Sequence, residues 1–164
     1  ALQHYTASNA EMLNTIASIG ALSENPRITN HVASLEAILS AKEFAGIERA
    51  VGSGGFAIGS FSIERIRTLE RLVGLQATNL SRFENFAEPE FKADAQAIAN
   101  MQETAAVQQM REVAFSSFET GDLQGIAASD FFVATTVRID AFKVIEDRLV
   151  ETIGEAAADV ASTS

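Results

Sequence analysis

The chain is predicted to be all-α, an antiparallel up-down bundle of four long helices plus a shorter N-terminal helix. Three observations carry this. Apolar residues recur at alternating steps of three and four along most of the chain, the spacing of a helix face packed inside a bundle. Among 164 residues there are only two prolines, and each stands where a helix should begin. The period-two alternation of β-branched residues that marks a half-buried strand is missing throughout.

The elements follow in order. Residues 1–22 read as a first helix whose apolar stripe is Tyr5, Met12, Leu13, Ile16 and Ile19, with Gly20 weakening its end. His4 and Tyr5 read as surface or packing residues. Asn25 and Pro26 form a start signal, an asparagine cap followed by a proline whose missing donor costs nothing at the first helical position. The second helix runs from there to about Gly59, and His31, one turn in, is expected on its solvated side. Ser62 caps a third helix reaching about Ala87, with the seam Leu69, Leu72, Gln76, Asn79, Phe83 and Phe86. Its Arg65, Arg67 and Arg71, mixed with Glu64 and Glu70, read as a solvated face. Glu88 and Pro89 begin a fourth, continuous helix with the seam Ile98, Met101, Ala105, Gln108, Glu112 and Phe115, flanked by Val107, Met110, Ala114 and Phe118. Residues 120–125 make the clearest loop. The last helix, from about Ile126 to Val160, has the most regular seam: Phe132, Thr135, Ile139, Phe142, Glu146, Leu149, Ile153, Ala156 and Val160. The organisation is one domain over 1–164: a terminal helix, core helices over 25–125 and a long final helix over 126–162.

Composition bounds the function. With no cysteine there is no disulfide, thiolate metal site or thiol chemistry. A formal net charge of -10 opposes nucleic-acid binding, which needs a basic face. It equally opposes long-range attraction of any small anion, so an anion site has to be built locally from one or two arginines. No run approaches the ~20 apolar residues of a membrane span, so any membrane attachment would come from segments outside this chain. The two histidines are unrelated, no di-iron-type Glu-x-x-His pair occurs, and no nucleophile motif is present, so neither an enzyme nor a cofactor or metal site is expected.

The unusual stretch is 41–50, AKEFAGIERA. Upstream, Ile28, Val32, Leu35 and Leu39 mark the buried seam of the second helix. The same count lands next on Lys42, Gly46 and Arg49, so two cations one heptad apart occupy positions that should be buried. A buried unpaired cation is very costly, so Arg49 needs partners. One reading is an internal ion pair with Glu103, Glu112 or Asp140, in a helical dimerisation or interaction module without a small-molecule ligand. The other is an anion pocket beside the small residues Ala45, Gly46 and Ala50. Gln76, in the polar middle of the third seam, would meet the same level and donate to an anion or satisfy Arg49. The run GSGG at 52–55 lacks the Gly-Lys-Ser/Thr ending of a phosphate loop and reads as close helix packing or a bend, or as a hinge.

The run KEFAGIERA with the small residues after it and Phe56 to Phe61, then Gln76, Arg111 and the stretch FFVATTVRIDAFKVIEDRL at 131–149, resembles the NIT domain, the nitrate- and nitrite-sensing module of bacterial receptors and regulators. The resemblance covers most of 24–155 and corresponds mainly to the carboxy-terminal half of that domain. The upstream half carries a Glu-Arg-Gly element whose arginine shares the ligand with the downstream one, and nothing in 1–25 matches it. The resemblance implies a small anion as ligand, bound by Arg49 with Lys42, Gly46, Gln76 and Arg111 lining the site. It also implies that Glu48 orients a cation and that the final helix passes the signal on. A homodimer and a place on the periplasmic side of an inner-membrane receptor, or alternatively in the cytoplasm, follow from the same resemblance.

Overall fold

The computed structural model describes residues 24–163; the helix expected over 1–22 lies outside them. Five helices follow one another: α1 (Pro26–Ile58), α2 (Ile63–Phe86), α3 (Pro89–Ala99), α4 (Gln102–Thr120) and α5 (Ala128–Thr163), and there is no strand among the described residues. Each start has a local cause. Asn25 is extended and its side chain accepts from the Arg27 amide, with Pro26 just inside the helix. Ser62 caps α2 by accepting from the Arg65 amide. Gly59 ends α1 and Gly121 ends α4, both in the left-handed region that glycine enters without strain.

Polar cross-links set the topology. Arg82 on Glu36 and Gln76 on Glu48 run α2 antiparallel to α1. The ion pair of Lys42 with Glu146 and the hydrogen bond of Arg49 to Thr136 do the same for α5. The central helix α1 packs along both α2 and α5. With α3 and α4 together as the remaining strut, the result is the up-down bundle that the periodicity predicts.

That strut corrects the expected continuous fourth helix. It breaks at Asn100 and Met101, where Met101 turns to an extended conformation and Thr104 Oγ1 donates to the Ile98 carbonyl at 2.6 Å, bridging the break. The phase restarts there. Val107, Met110 and Ala114 of the expected flanking stripe are buried, with Arg111, Val113 and Ser117, while Phe118 of that stripe is exposed and Ala105, Gln108 and Glu112 face out.

Two apolar clusters hold the bundle. One joins Ile28 to Leu39 of α1 with Phe83, Phe91, Ile98 and Phe142 to Ile153. The other joins Phe56, Phe61, Ile66, Leu69, Val107, Met110, Ala114, Phe131 and Ala134. In α1, α2 and α5 the clusters leave gaps between residues 39 and 56, 69 and 83, and 134 and 142. The buried polar residues Lys42, Glu48, Gln76, Thr135 and Arg138 lie in those gaps.

His31 departs from its expected solvated position. It is 1% exposed because α3 begins across it, with its ring edge-on to Phe91 at 6.1 Å and Nε2 3.6 Å from Glu88 Oε1. Nε2 has no hydrogen-bond partner among the described residues. Burial holds its pKa below the ordinary imidazole value, against the attraction of Glu88. The hydrogen bond from Arg27 holds the Glu88 carboxyl low in turn. The neutral imidazole is thus favoured in the fold, whereas the unfolded chain takes up its proton near pH ~6.5, so stability falls as pH drops below that value. Chemical denaturation between pH 7 and 5 is expected to show this slope in the wild type and a flatter one in His31→Phe. Equal slopes would remove His31 as its source.

Candidate functional site

Beyond Lys42 the buried face of α1 turns by one residue. Ala45, Glu48, Gly52 and Gly55 are buried, while Gly46 and Arg49 lie at the edge. The turn follows from what α2 and α4 offer. Arg111 of α4 donates to Glu48 through Nε at 2.5 Å and Nη2 at 2.8 Å, and Gln76 Nε2 of α2 donates to the same carboxylate at 2.6 Å. Glu48 is fully buried and every contact satisfies it. Gln76 Oε1 then accepts from Arg138 Nη1 of α5 at 2.7 Å and from Arg111 Nη2 at 3.4 Å. One residue from each of four helices thus meets in one layer.

The layer carries two guanidiniums and one carboxylate. Arg138 is 6% exposed, its guanidinium lies over the Phe142 ring at 4.9 Å, and no carboxylate lies within 4.0 Å of it among the described residues. Burial, and then the neighbouring Arg111, push its pKa down to about 10, with Glu48 opposing. The charged form is the unfavourable one here, so its cost is present throughout the neutral range and is relieved only as pH rises through that value. One heptad away, Lys42 and Glu146 form a second buried pair, 5% and 2% exposed.

Arg49 stands apart from this interior. Its Nη1 donates to Thr136 Oγ1 at 2.9 Å, and its guanidinium lies over the Phe132 ring at 4.7 Å, so the side chain reaches from α1 to α5. Among the described residues no carboxylate lies within 4.0 Å of it, so the pairing with Glu103, Glu112 or Asp140 is not formed. Beside it, a Cβ built on Gly46 would meet nothing within 4 Å.

The five residues singled out in the sequence therefore fall into three places. Gln76 and Arg111 meet in the polar layer, where Arg111 is bound to Glu48. Lys42 is bound to Glu146. Gly46 and Arg49 lie about one turn apart on α1, both part-buried. Arg138 and Thr136 were not singled out, and Phe132, expected at the head of the buried seam of the last helix, is 48% exposed. For Arg138 a signal existed: Phe131, Thr135, Arg138, Phe142, Ile145 and Leu149 keep steps of four and three, and all are buried.

Other features offer less to an anion. A cleft of about 290 Å³ between the start of α1 and the end of α5 sets Arg27 against Glu155 and Asp159. Among the described residues no group of three His, Asp or Glu side chains is placed to hold a metal ion, and no helix is long and apolar enough to cross a membrane.

The sequence profile of the NIT family, described as nitrate and nitrite sensing, matches residues 1–154. The chain belongs to the NIT family. The match extends the resemblance over 24–155 at its amino-terminal side, taking in residues 1–23. A nitrate regulatory protein of Klebsiella oxytoca is 30% identical over 140 residues, which is 85% of this chain and 34% of that protein. The chain thus spans about a third of the length of this relative. No solved structure matches. Nitrate and nitrite sensing, in signalling and with a small anion as ligand, is accordingly the family-level function.

Proposed function

We propose that this chain is the ligand-sensing part of a bacterial signalling receptor, binding nitrate or nitrite at Arg49 and passing the signal through α5. The observation that carries the reading is the state of Arg49, a half-buried guanidinium with open space at Gly46 and no carboxylate within 4.0 Å among the described residues. A guanidinium in that state offers a charge-assisted, bidentate edge to a planar oxyanion. Lys42 and Arg111 are bound to Glu146 and Glu48, so their part is to hold the helices that position Arg49, with Gln76 beside them.

Transmission through α5 is supported by Arg49 gripping that helix through Thr136 and Phe132. A ligand that draws on Arg49 biases the seat of α5, as a small slide or rotation. We place a homodimer interface on the same helix, whose Val133 and Val144 are exposed, and the receptor's sensing side in the periplasm.

Thermal melts with millimolar nitrate or nitrite, against chloride and sulfate at equal ionic strength, test the reading. Ligand at about 100 times its Kd adds roughly 2.7 kcal/mol and raises the midpoint by about 5 to 10 °C. Arg49→Ala is expected to abolish that shift and to leave the unliganded midpoint within about 2 °C, since it strands no carboxylate. A full shift in Arg49→Ala would overturn the assignment. No nitrate- or nitrite-specific shift in the wild type would favour a helical interaction module instead.

A further inference from the structure

Phe132 is an aromatic ring left 48% exposed on α5, within a helix whose other phenylalanines at 131 and 142 are almost fully buried. Its ring is covered in part by the Arg49 guanidinium, 4.7 Å above the centroid. One turn further on, the Thr136 hydroxyl donates to the Phe132 carbonyl at 2.7 Å. A hydroxyl has one proton and two lone pairs. With the proton committed to the helix backbone, the oxygen is left as a pure acceptor toward Arg49 Nη1, at 2.9 Å. The ring thus covers the guanidinium from one side and the hydroxyl fixes one of its five N–H groups, leaving the rest of its donors for a ligand.

We infer that Thr136 and Phe132 are positioning residues for the anion: they hold the Arg49 guanidinium in its binding orientation before ligand arrives. The inference rests on the reading of Arg49 above and adds to it the residues that set affinity. An arginine side chain left free would lose most of its rotamer freedom on binding, and one already tethered avoids that loss. Because both residues belong to α5, the same tether links the bound anion to the helix proposed to carry the signal. One guanidinium with no carboxylate within 4.0 Å among the described residues also matches a single negative charge. Within a chain of formal charge -10, a doubly charged anion would leave an uncompensated charge beside Arg49.

Isothermal titration of the full chain with sodium nitrate, with sodium sulfate as the dianion control, tests this together with the melting midpoint of each variant. Thr136→Val keeps the shape and loses the acceptor, and is expected to weaken nitrate binding about three- to tenfold with an unliganded midpoint within about 2 °C of wild type. Thr136→Ser keeps the acceptor and is expected within twofold of wild type. Phe132→Leu removes the ring and is expected to weaken binding by a similar factor to Thr136→Val. If wild type binds nitrate, Arg49→Ala does not, and both Thr136→Val and Phe132→Leu bind as wild type, the positioning role is overturned while the Arg49 reading stands. Equal weakening by Thr136→Ser and Thr136→Val overturns the hydroxyl's role. Wild-type binding that Arg49→Ala leaves intact, or no binding by wild type, overturns both.

Discussion

Replacing Glu48 by alanine is expected to destabilise the protein by at least ~3 kcal/mol, because it removes the one carboxylate of a layer that then holds two buried guanidiniums. Arg111 would lose both of its short hydrogen bonds, and Gln76 Nε2 would lose its acceptor. Arg111 and Arg138 would be left sharing Gln76 Oε1 with no anion between them. At roughly 2 to 4 °C per kcal/mol for a chain of this size, the melting midpoint should fall by about 10 °C. Urea denaturation checks the size of the loss, and an unchanged m-value would show that the native fold is retained. The double variant Glu48→Ala, Arg111→Met should recover part of the loss, since it no longer strands the guanidinium, and the cycle measures the coupling. A loss below ~1 kcal/mol in the single variant would mean that water or a rearranged side chain satisfies Arg111, and that the layer is not the structural joint described above.

That layer also marks where sequence reading succeeded and where it stopped. Helix starts at Asn25, Ser62 and Glu88 were legible because capping is local chemistry, written in two or three adjacent residues. The break at Asn100 and Met101 was not, since neither proline nor glycine stands there. It exists because α3 packs on His31 and its cluster while α4 must bury Val107, Met110 and Ala114 in the other. The choice between Glu48 and Arg49 was hidden for a similar reason. A heptad count rotates steadily along a helix, whereas the buried face of α1 turns where α4 arrives with Arg111, and α4's phase was itself set by the unseen break. His31 is expected on the solvated side because its side of the helix reads as mostly polar, and the element that covers it begins 58 residues later. Arg138 kept the spacing of a core residue, and only its charge made it look like surface.

Alanine at two glycines of α1, six residues apart, is expected to act with opposite signs. At Gly52 a Cβ would lie 2.3 Å from Phe131 Cε1 and under 3 Å from two further atoms of that ring. The ring cannot easily yield, because it is 1% exposed and packed against Phe56 with centroids 5.5 Å apart, and Phe56 is packed on Phe61 in turn. Gly52→Ala should therefore cost about 1 to 3 kcal/mol through overpacking, even after the ~1 kcal/mol that alanine gains in helix propensity. Gly55→Ala should behave alike, with its Cβ 2.2 Å from Phe61 Cε1. At Gly46 nothing stands within 4 Å, so only the propensity term remains and Gly46→Ala should stabilise by about 0.5 to 1 kcal/mol. Denaturant titration of the three variants decides what the GSGG run is for. If those glycines served as a flexible hinge, alanine at 52 or 55 would stiffen the helix and raise its stability. If they are there to admit the rings of Phe131 and Phe61, alanine lowers it, and the run is a packing feature of the helix and not a hinge.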